Sequence, residues 1–233
     1  MNIAIIGYGK LGKAVAGIAE ENGWTVVAKI KKDTDWDPQS WNADIAFESS
    51  TPDQAVGNVL KCLAIGLPVV IGTTGWHSRL PELEKAVAEN SSQIFHATNF
   101  SLGVHLLNQI SRYMTRVMSQ FPEYSASIQE SHHKHKLDSP SGTAITLANE
   151  VSSITDSDIT SDIPIHSLRE GNIVGIHELL WKSEVDVLAL RHEAISRRGF
   201  ALGAFQASCW LVEKNRKNLS GIYTMNDMIS EIK

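Results

Sequence analysis

The fold of this chain is decided near its start, where an apolar run leads into a glycine-rich loop, Asn2-Ile3-Ala4-Ile5-Ile6-Gly7-Tyr8-Gly9-Lys10-Leu11-Gly12. The apolar run is typical of a strand that is buried on both faces. An amphipathic helix and a second strand over residues 25–30 follow. In such a unit the glycines let the backbone approach a pyrophosphate, and the helix start binds its charge. The pattern predicts a dinucleotide site at Gly7, Tyr8, Gly9, Lys10, Leu11 and Gly12, with a ligand-free tight turn as the alternative.

The alternation of strands and helices continues as far as residue 96. Strands are predicted over residues 44–48, 67–71 and 93–96, and helices over residues 53–64 and 81–89. This order is typical of a Rossmann-type, doubly wound parallel sheet, which binds ligands at the carboxyl ends of its strands. Two loops follow strands at that edge, and we interpret them as cofactor-side loops or, alternatively, as ordinary turns: Gly72-Thr73-Thr74 and Ala97-Thr98-Asn99-Phe100.

The second half of the chain has a different pattern, typical of an α+β domain with its own sheet. We predict a helix over residues 104–119, strands over 125–130, 163–168, 173–181 and 185–192, and a polar loop over 156–162. A last apolar helix over residues 203–213 leads to a segment that is expected to return to the first domain. The predicted domains are residues 1–103 with 205–233, and residues 104–204 between them.

A charged segment, Glu130 to Ala144, carries the strongest sign of a binding site. Three imidazoles and two ammonium groups occupy residues 132–136, where like charges oppose one another unless an anion binds or a proton is delivered. Gly142 and Thr143 stand just before a predicted helix, so their amides can bind a carboxylate or phosphate. A solvated charged loop is the alternative. A metal site is disfavoured because Cys62 and Cys209 lack ligand-spaced neighbours.

Composition excludes several classes of function. The 233 residues are 42% hydrophobic and 20% charged, as in ordinary soluble proteins, and the net charge of −5 gives no reason to expect nucleic acid. No apolar run approaches the ~20 residues of a membrane span. Two isolated cysteines and the lack of a secretory leader favour a cytoplasmic protein.

The chain resembles the 4-hydroxy-tetrahydrodipicolinate reductase family, the dihydrodipicolinate reductases of bacterial lysine biosynthesis. The resemblance spans nearly the whole chain in the right order, and the histidine–lysine segment is its most specific part. It rests on these stretches: residues 7–12, 72–75, 99–104, 130–144, 169–171, 174–177 and 191–205.

The resemblance implies a reaction, a cofactor and site residues. The family reduces a cyclic unsaturated imine with two carboxylates, using NADH or NADPH and losing water from the 4-hydroxy precursor. By this resemblance His132 is the proton donor and Lys136 the second catalytic group, while His133, Gly142 and Thr143 bind the substrate dicarboxylate. The nicotinamide is expected near residues 72–74 and 97–100. A homotetramer formed through the second-domain sheet is expected as well.

The sequence departs from the family pattern at three places. The glycine loop is one residue shorter than is usual, and Glu48-Ser49-Ser50 replaces Asp-Phe-Thr. Lys31 and Lys32 replace the acidic residue expected after the second strand, where cations accommodate a 2′-phosphate. NADPH is therefore expected to be preferred over NADH, unless these are only surface lysines. Another two-domain nicotinamide-dependent oxidoreductase and a non-catalytic nucleotide-binding sensor remain the alternative functions.

Overall fold

The computed structural model describes residues 1–32, 34–154 and 163–231. These residues form ten strands: β1 Asn2–Ile6, β2 Thr25–Ile30, β3 Ile45–Glu48, β4 Val69–Ile71, β5 Gln93–His96, β6 Ser125–His132, β7 Ile165–Arg169, β8 Ile176–Lys182, β9 Val187–Glu193 and β10 Gly221–Tyr223. The helices are α1 Lys10–Glu21, α2 Pro52–Leu63, α3 Leu80–Asn90, α4 Leu102–Met118, α5 Gly142–Ile154, α6 Arg198–Arg216 and α7 Met225–Ser230.

The chain divides into two compact units. The first comprises Met1–Ser101 and Arg198–Lys233, and the second comprises Leu102–Arg197. No helix among the described residues is long and apolar enough to cross a membrane.

The first unit is built on a parallel sheet of six strands in the order β10-β5-β4-β3-β1-β2. Its inner strands carry continuous apolar runs because helices cover both faces of such a sheet. Ile3, Phe47, Val70 and Ile94 are all 0% exposed. Strand β10 pairs with β5, so the end of the chain completes the sheet of the first unit. The predicted doubly wound fold, with its returning C-terminal segment, is confirmed.

The second unit is built on a mixed sheet of four strands in the order β7-β6-β8-β9. Strand β6 runs parallel to β7 and antiparallel to β8. Burial alternates along β8, so that Leu179 and Trp181 are buried while Ile176 and Leu180 on the opposite face are half-buried. Leu107 of α4 and Leu147 of α5 belong to the same buried cluster as Leu179. The helices therefore cover one face of this sheet.

Several predicted boundaries differ from those in the structure by one or more residues. Strand β6 continues two residues beyond the predicted end because His132 still pairs with Arg169 on β7. Helix α5 begins at Gly142, two residues earlier than predicted, because the Ser141 hydroxyl accepts a hydrogen bond from the Ala144 amide and caps the helix. Helix α6 begins at Arg198 instead of residue 203. The predicted loop over residues 156–162 lies outside the described residues.

Candidate active site

The glycine loop joins β1 to α1 in a conformation that requires glycine at two positions. Gly7 has a φ of +89°, and a Cβ on it would collide with the Ser49 carbonyl. A Cβ on Gly12 would collide with the Gly7 carbonyl and would lie 3.0 Å from Ile5 Cγ2. Around Gly9, in contrast, a Cβ would meet nothing within 4 Å. The loop is thus packed tightly against the sheet and open at the helix start, as a pyrophosphate cradle must be.

A cleft of about 640 Å³ opens beside this loop. Gly7, Tyr8 and Gly9 line it together with Lys31 and Lys32, which follow β2. Among the described residues, the other charged groups on its wall are Lys61, Arg79 and Asp53. Arg79 is paired with Glu82 at 2.6 Å, and the Lys61 ammonium lies 4.6 Å from the ring of Trp36, another lining residue. The cleft is therefore basic and suited to a phosphate-bearing ligand.

The other predicted cofactor residues lie at the same edge of the sheet. Lys10, Leu11 and Gly12 form the first turn of α1, residues 72–74 follow β4, and residues 97–100 follow β5. None of these residues is among those that line the cleft. The Thr73 hydroxyl is buried and has no hydrogen-bond partner among the described residues, which leaves a polar atom for a ligand to satisfy. The open Gly9 cradle and this hydroxyl both fit a bound nicotinamide dinucleotide.

In the second unit, Glu130 and His132 project from the same face of β6. The Glu130 side chain is 0% exposed, and its Oε2 lies 2.5 Å from His132 Nδ1. Its Oε1 accepts hydrogen bonds from Arg169 Nη2 at 2.6 Å and from the Ser141 amide at 3.3 Å. Burial raises the pKa of the Glu130 carboxyl, but bonds from Arg169, Ser167 and His132 outweigh it and lower that pKa to about 2. Glu130 is therefore a carboxylate throughout the physiological range.

The charge state of His132 is governed by opposing influences. Burial lowers the pKa of its imidazole, the Glu130 carboxylate opposes that shift, and the charges of Lys136 and Arg169 reinforce it. The far edge of the ring faces Gly175, the residue before β8, because a Cβ on Gly175 would lie 3.0 Å from His132 Nε2. With Nδ1 held by Glu130, Nε2 is the atom of this imidazole that is left to exchange a proton with a ligand.

Two further imidazoles extend across the sheet from His132. The His177 ring lies 5.1 Å from the His132 ring, and His177 pairs with His192 on β9. His177 Nε2 lies 3.0 Å from the Ser141 hydroxyl, which links β8 to the start of α5. Burial lowers the pKa of His177 to about 4, so this residue is a neutral support at physiological pH.

The remaining predicted residues surround this support. Lys136 donates to Asp138 Oδ1 at 2.7 Å and to Oδ2 at 2.8 Å, which holds its ammonium in the loop after β6. His133 is half-buried and directly follows β6. Gly142 and Thr143 open α5, and no acceptor among the described residues takes their amide hydrogens. Their amides are thus available to an anion.

A metal ion fits this cluster poorly. Glu130, His132 and His177 have ligand atoms within 4.8 Å of one another, which is close enough for a shared ion. However, the Glu130 carboxylate already binds the Arg169 guanidinium and His132, so its charge is compensated. We interpret the cluster as a hydrogen-bond network.

Sequence reasoning did not assign a role to several residues that the structure brings into these sites. In the first unit they are Trp36, Lys61 and the Ser49–Ser50 pair beside the cleft. In the second unit they are Glu130, Ser141, Arg169 and His177. The available signal is that Glu130 and His132 stand two residues apart at the end of β6, a spacing that puts both side chains on one face of a strand.

The doubly wound sheet and its glycine loop are typical of nicotinamide-dependent oxidoreductases. Two family models match the chain: "Dihydrodipicolinate reductase, N-terminus" over residues 1–100 and "Dihydrodipicolinate reductase, C-terminus" over residues 103–229. The chain belongs to the dihydrodipicolinate reductase family.

Individual relatives agree with this assignment. The chain is 36% identical to the 4-hydroxy-tetrahydrodipicolinate reductase of Christiangramia forsetii, covering 100% of this chain and 99% of that one. It is 32% identical to that of Thermosipho africanus, covering 99% of both chains. Among solved structures, the dipicolinate-bound dihydrodipicolinate reductase of Paenisporosarcina sp. TG-14 matches with a TM-score of 0.76 at 22% identity, covering 96% of this chain and 97% of that one. The last comparison shows the shared fold.

Proposed function

We propose that this protein reduces 4-hydroxy-tetrahydrodipicolinate, by way of dihydrodipicolinate, to tetrahydrodipicolinate and water in the diaminopimelate route to lysine. The observation that carries the proposal is the Glu130–His132 pair beside the free amides of α5, because an imidazole next to unpaired amides suits proton donation to a bound carboxylate substrate. The full-length match to reductases of this name supports it.

The reaction needs one hydride and one proton. A nicotinamide bound to the first unit would supply the hydride for C4 of the ring, the electrons would move toward the imine nitrogen, and a residue of the second unit would supply the proton. We assign the proton to His132 Nε2, since Nδ1 is held by Glu130. A positioned acid contributes a factor of about 10²–10⁴ to the rate. After donation the imidazole is neutral. It retains the hydrogen on Nδ1, and this N–H still donates a hydrogen bond to the Glu130 carboxylate.

Lys136 is assigned as the second catalytic group. Its ammonium is bound by Asp138 and lies close enough to His132 to lower the pKa of that imidazole. A dianionic substrate attracts the same ammonium, and the cation then stabilises negative charge that develops on the ring. The Lys136–Asp138 pair is at the surface and contributes little to folding, so Lys136 can exchange partners.

The substrate carboxylates are assigned to His133, Gly142 and Thr143. The two amides at the start of α5 point along the helix axis at any anion that binds there, and the helix dipole adds a partial positive charge. Ser141, which caps the helix, is bonded to both His177 and Glu130, so this anion site is held rigidly.

The cofactor preference is assigned to Lys31 and Lys32. Both line the basic cleft beside the glycine loop, where the adenine ribose of a dinucleotide is expected. Two ammonium groups favour a 2′-phosphate, so NADPH should be used better than NADH. The preference should be moderate, because a lysine lacks the bidentate grip of an arginine.

The two units are assigned different roles. The first unit binds the dinucleotide, and the second binds the dicarboxylate and forms a homotetramer. The face of the second sheet opposite its helices supports the last point, since Leu168 and Val187 on it are 50% and 52% exposed. Apolar side chains on an open sheet face are a typical interface. We place the enzyme in the cytoplasm, where Cys62 and Cys209 would remain the free thiols seen here.

A coupled assay tests the proposed function. Purified protein, NADPH and freshly generated product of the preceding synthase are mixed, and nicotinamide absorbance is followed. Oxidation that requires both the synthase product and the protein is expected. A sensor would bind NADPH without oxidising it, and a different oxidoreductase would show no dependence on the synthase product.

A further inference from the structure

Glu130 joins two parts of the site that are separated in sequence. One oxygen binds the imidazole of His132, and the other binds the amide of Ser141, the capping residue of α5. A single buried side chain therefore fixes the distance between the His132 imidazole and the start of α5. We infer that Glu130 is a positioning residue for the reduction, holding the proton donor and the carboxylate-binding helix start in one arrangement. The inference rests on the proposed reductase function.

The surroundings show why the carboxylate can stay charged in a buried place. A buried carboxylate is costly unless it is paired and hydrogen-bonded. Arg169 supplies the opposite charge from β7, the strand that pairs with β6, and it also donates to the Asp138 carbonyl at 2.8 Å. Arg169 therefore fixes Glu130 from the side opposite to His132 and connects it to the loop that carries Lys136.

The bond to Nδ1 has two consequences for His132. It fixes the tautomer of the neutral ring with hydrogen on Nδ1, and it stabilises the imidazolium that must exist before proton donation. The charged and titratable groups facing the ring are Glu130 on its own strand, Arg169 from β7, His177 from β8 and Lys136 from the following loop. Among these four groups, Glu130 is the one that carries negative charge and can stabilise the imidazolium.

Removing the anion and removing the cation should shift the pKa of His132 in opposite directions, and this distinguishes a positioning role of Glu130 from simple packing. Glu130→Gln removes the charge at nearly constant size, and should lower the pKa of His132 further because its opposing influence is gone. Arg169→Met removes a cation and should raise that pKa. If these side chains only packed the core, both substitutions would expose the ring and move its pKa upward, toward the ordinary value. The pKa of His132 is read by NMR titration of its ring protons, assigned with His132→Gln.

Activity supplies the second readout. Glu130→Gln should lower kcat by about 10²-fold or more, the range for an impaired general acid, with little change in the KM for NADPH. The reaction requires protonated His132, so activity is present below its pKa and falls as pH rises through it. In Glu130→Gln this fall should occur at lower pH than in the wild type. Glu150→Gln, which removes the charge of another half-buried carboxylate paired with an arginine, should leave kcat and the pH profile unchanged.

Three results would overturn the inference: an unchanged or raised His132 pKa in Glu130→Gln, a lowered one in Arg169→Met, or an unshifted pH profile. Should Glu130→Gln fail to fold, Glu130→Asp keeps the charge but withdraws it by one methylene. That variant should fold and lose kcat, and wild-type kcat in it would equally overturn the inference. A wild-type protein without reductase activity would instead refute the proposed function, since the NMR titration needs no substrate.

Discussion

Reversing the charge of Lys31 should reduce the use of NADPH far more than the use of NADH. Lys31 and Lys32 are exposed residues that line the dinucleotide cleft. A unit charge pair about 4 Å apart is worth ~4 kcal/mol at an effective dielectric constant of ~20. Solvent exposure and salt reduce this to at most ~1 kcal/mol for each lysine.

Lys31→Glu removes one such attraction and adds a repulsion of similar size, a change of ~2 kcal/mol, or about 30-fold in kcat/KM for NADPH. The measurement is kcat/KM for both cofactors at low and high ionic strength. The NADPH:NADH ratio should exceed one in the wild type, fall in Lys31→Glu, and shrink with added salt. Lys85→Glu, on α3 and outside the cleft, should leave the ratio unchanged. Equal efficiency with both cofactors in the wild type at low salt would refute this reasoning, and Lys31 and Lys32 would then be surface lysines only.

Three further predictions concern the anion site, the glycine loop and assembly. Pyridine-2,6-dicarboxylate, a planar dianion, should compete with the substrate at millimolar levels or below. Thr143→Ala should weaken this inhibition because it removes a hydroxyl at the start of α5. Failure of the dianion to inhibit the wild type would count against that site. Gly12→Ala should abolish detectable NADPH binding in a fluorescence titration, because the added Cβ would collide with the Gly7 carbonyl. Gly17→Ala on the same helix should bind NADPH normally, because a Cβ there meets nothing within 4 Å. Leu180→Lys on the open sheet face should shift the mass measured by light scattering from a tetramer to smaller species, and an unchanged mass would argue against assembly through that face.

The first unit could be predicted closely because its signals are local. The bounds of β1 and β5 agree with the predictions, since continuous apolar runs mark strands that are buried on both faces. The glycine loop was recognisable from its spacing, and the parallel order follows from the alternation of strands and helices. Even the placement of Lys31 and Lys32 beside the cleft followed from the end of β2.

The second unit could be predicted only in outline because its site depends on pairing between distant segments. Glu130 and Arg169 are separated by 39 residues, and only the parallel pairing of β6 with β7 brings them together. The bond between Ser141 and His177 likewise crosses 36 residues. Local patterns identify the polar side chains but do not give strand register, so the support beneath His132 could not be derived from them.

Transfer of the hydride itself tests the central claim most directly. NADPH carrying deuterium on one face of nicotinamide C4 is incubated with the protein and freshly generated synthase product, and the tetrahydrodipicolinate is analysed by mass spectrometry and NMR. One deuterium should appear at C4 of the product with one of the two labelled forms of NADPH and not with the other, at a rate that His132→Gln lowers by about 10²-fold or more. Oxidation of NADPH with no deuterium in the product, or no oxidation at all, would contradict the assignment of this protein as the reductase.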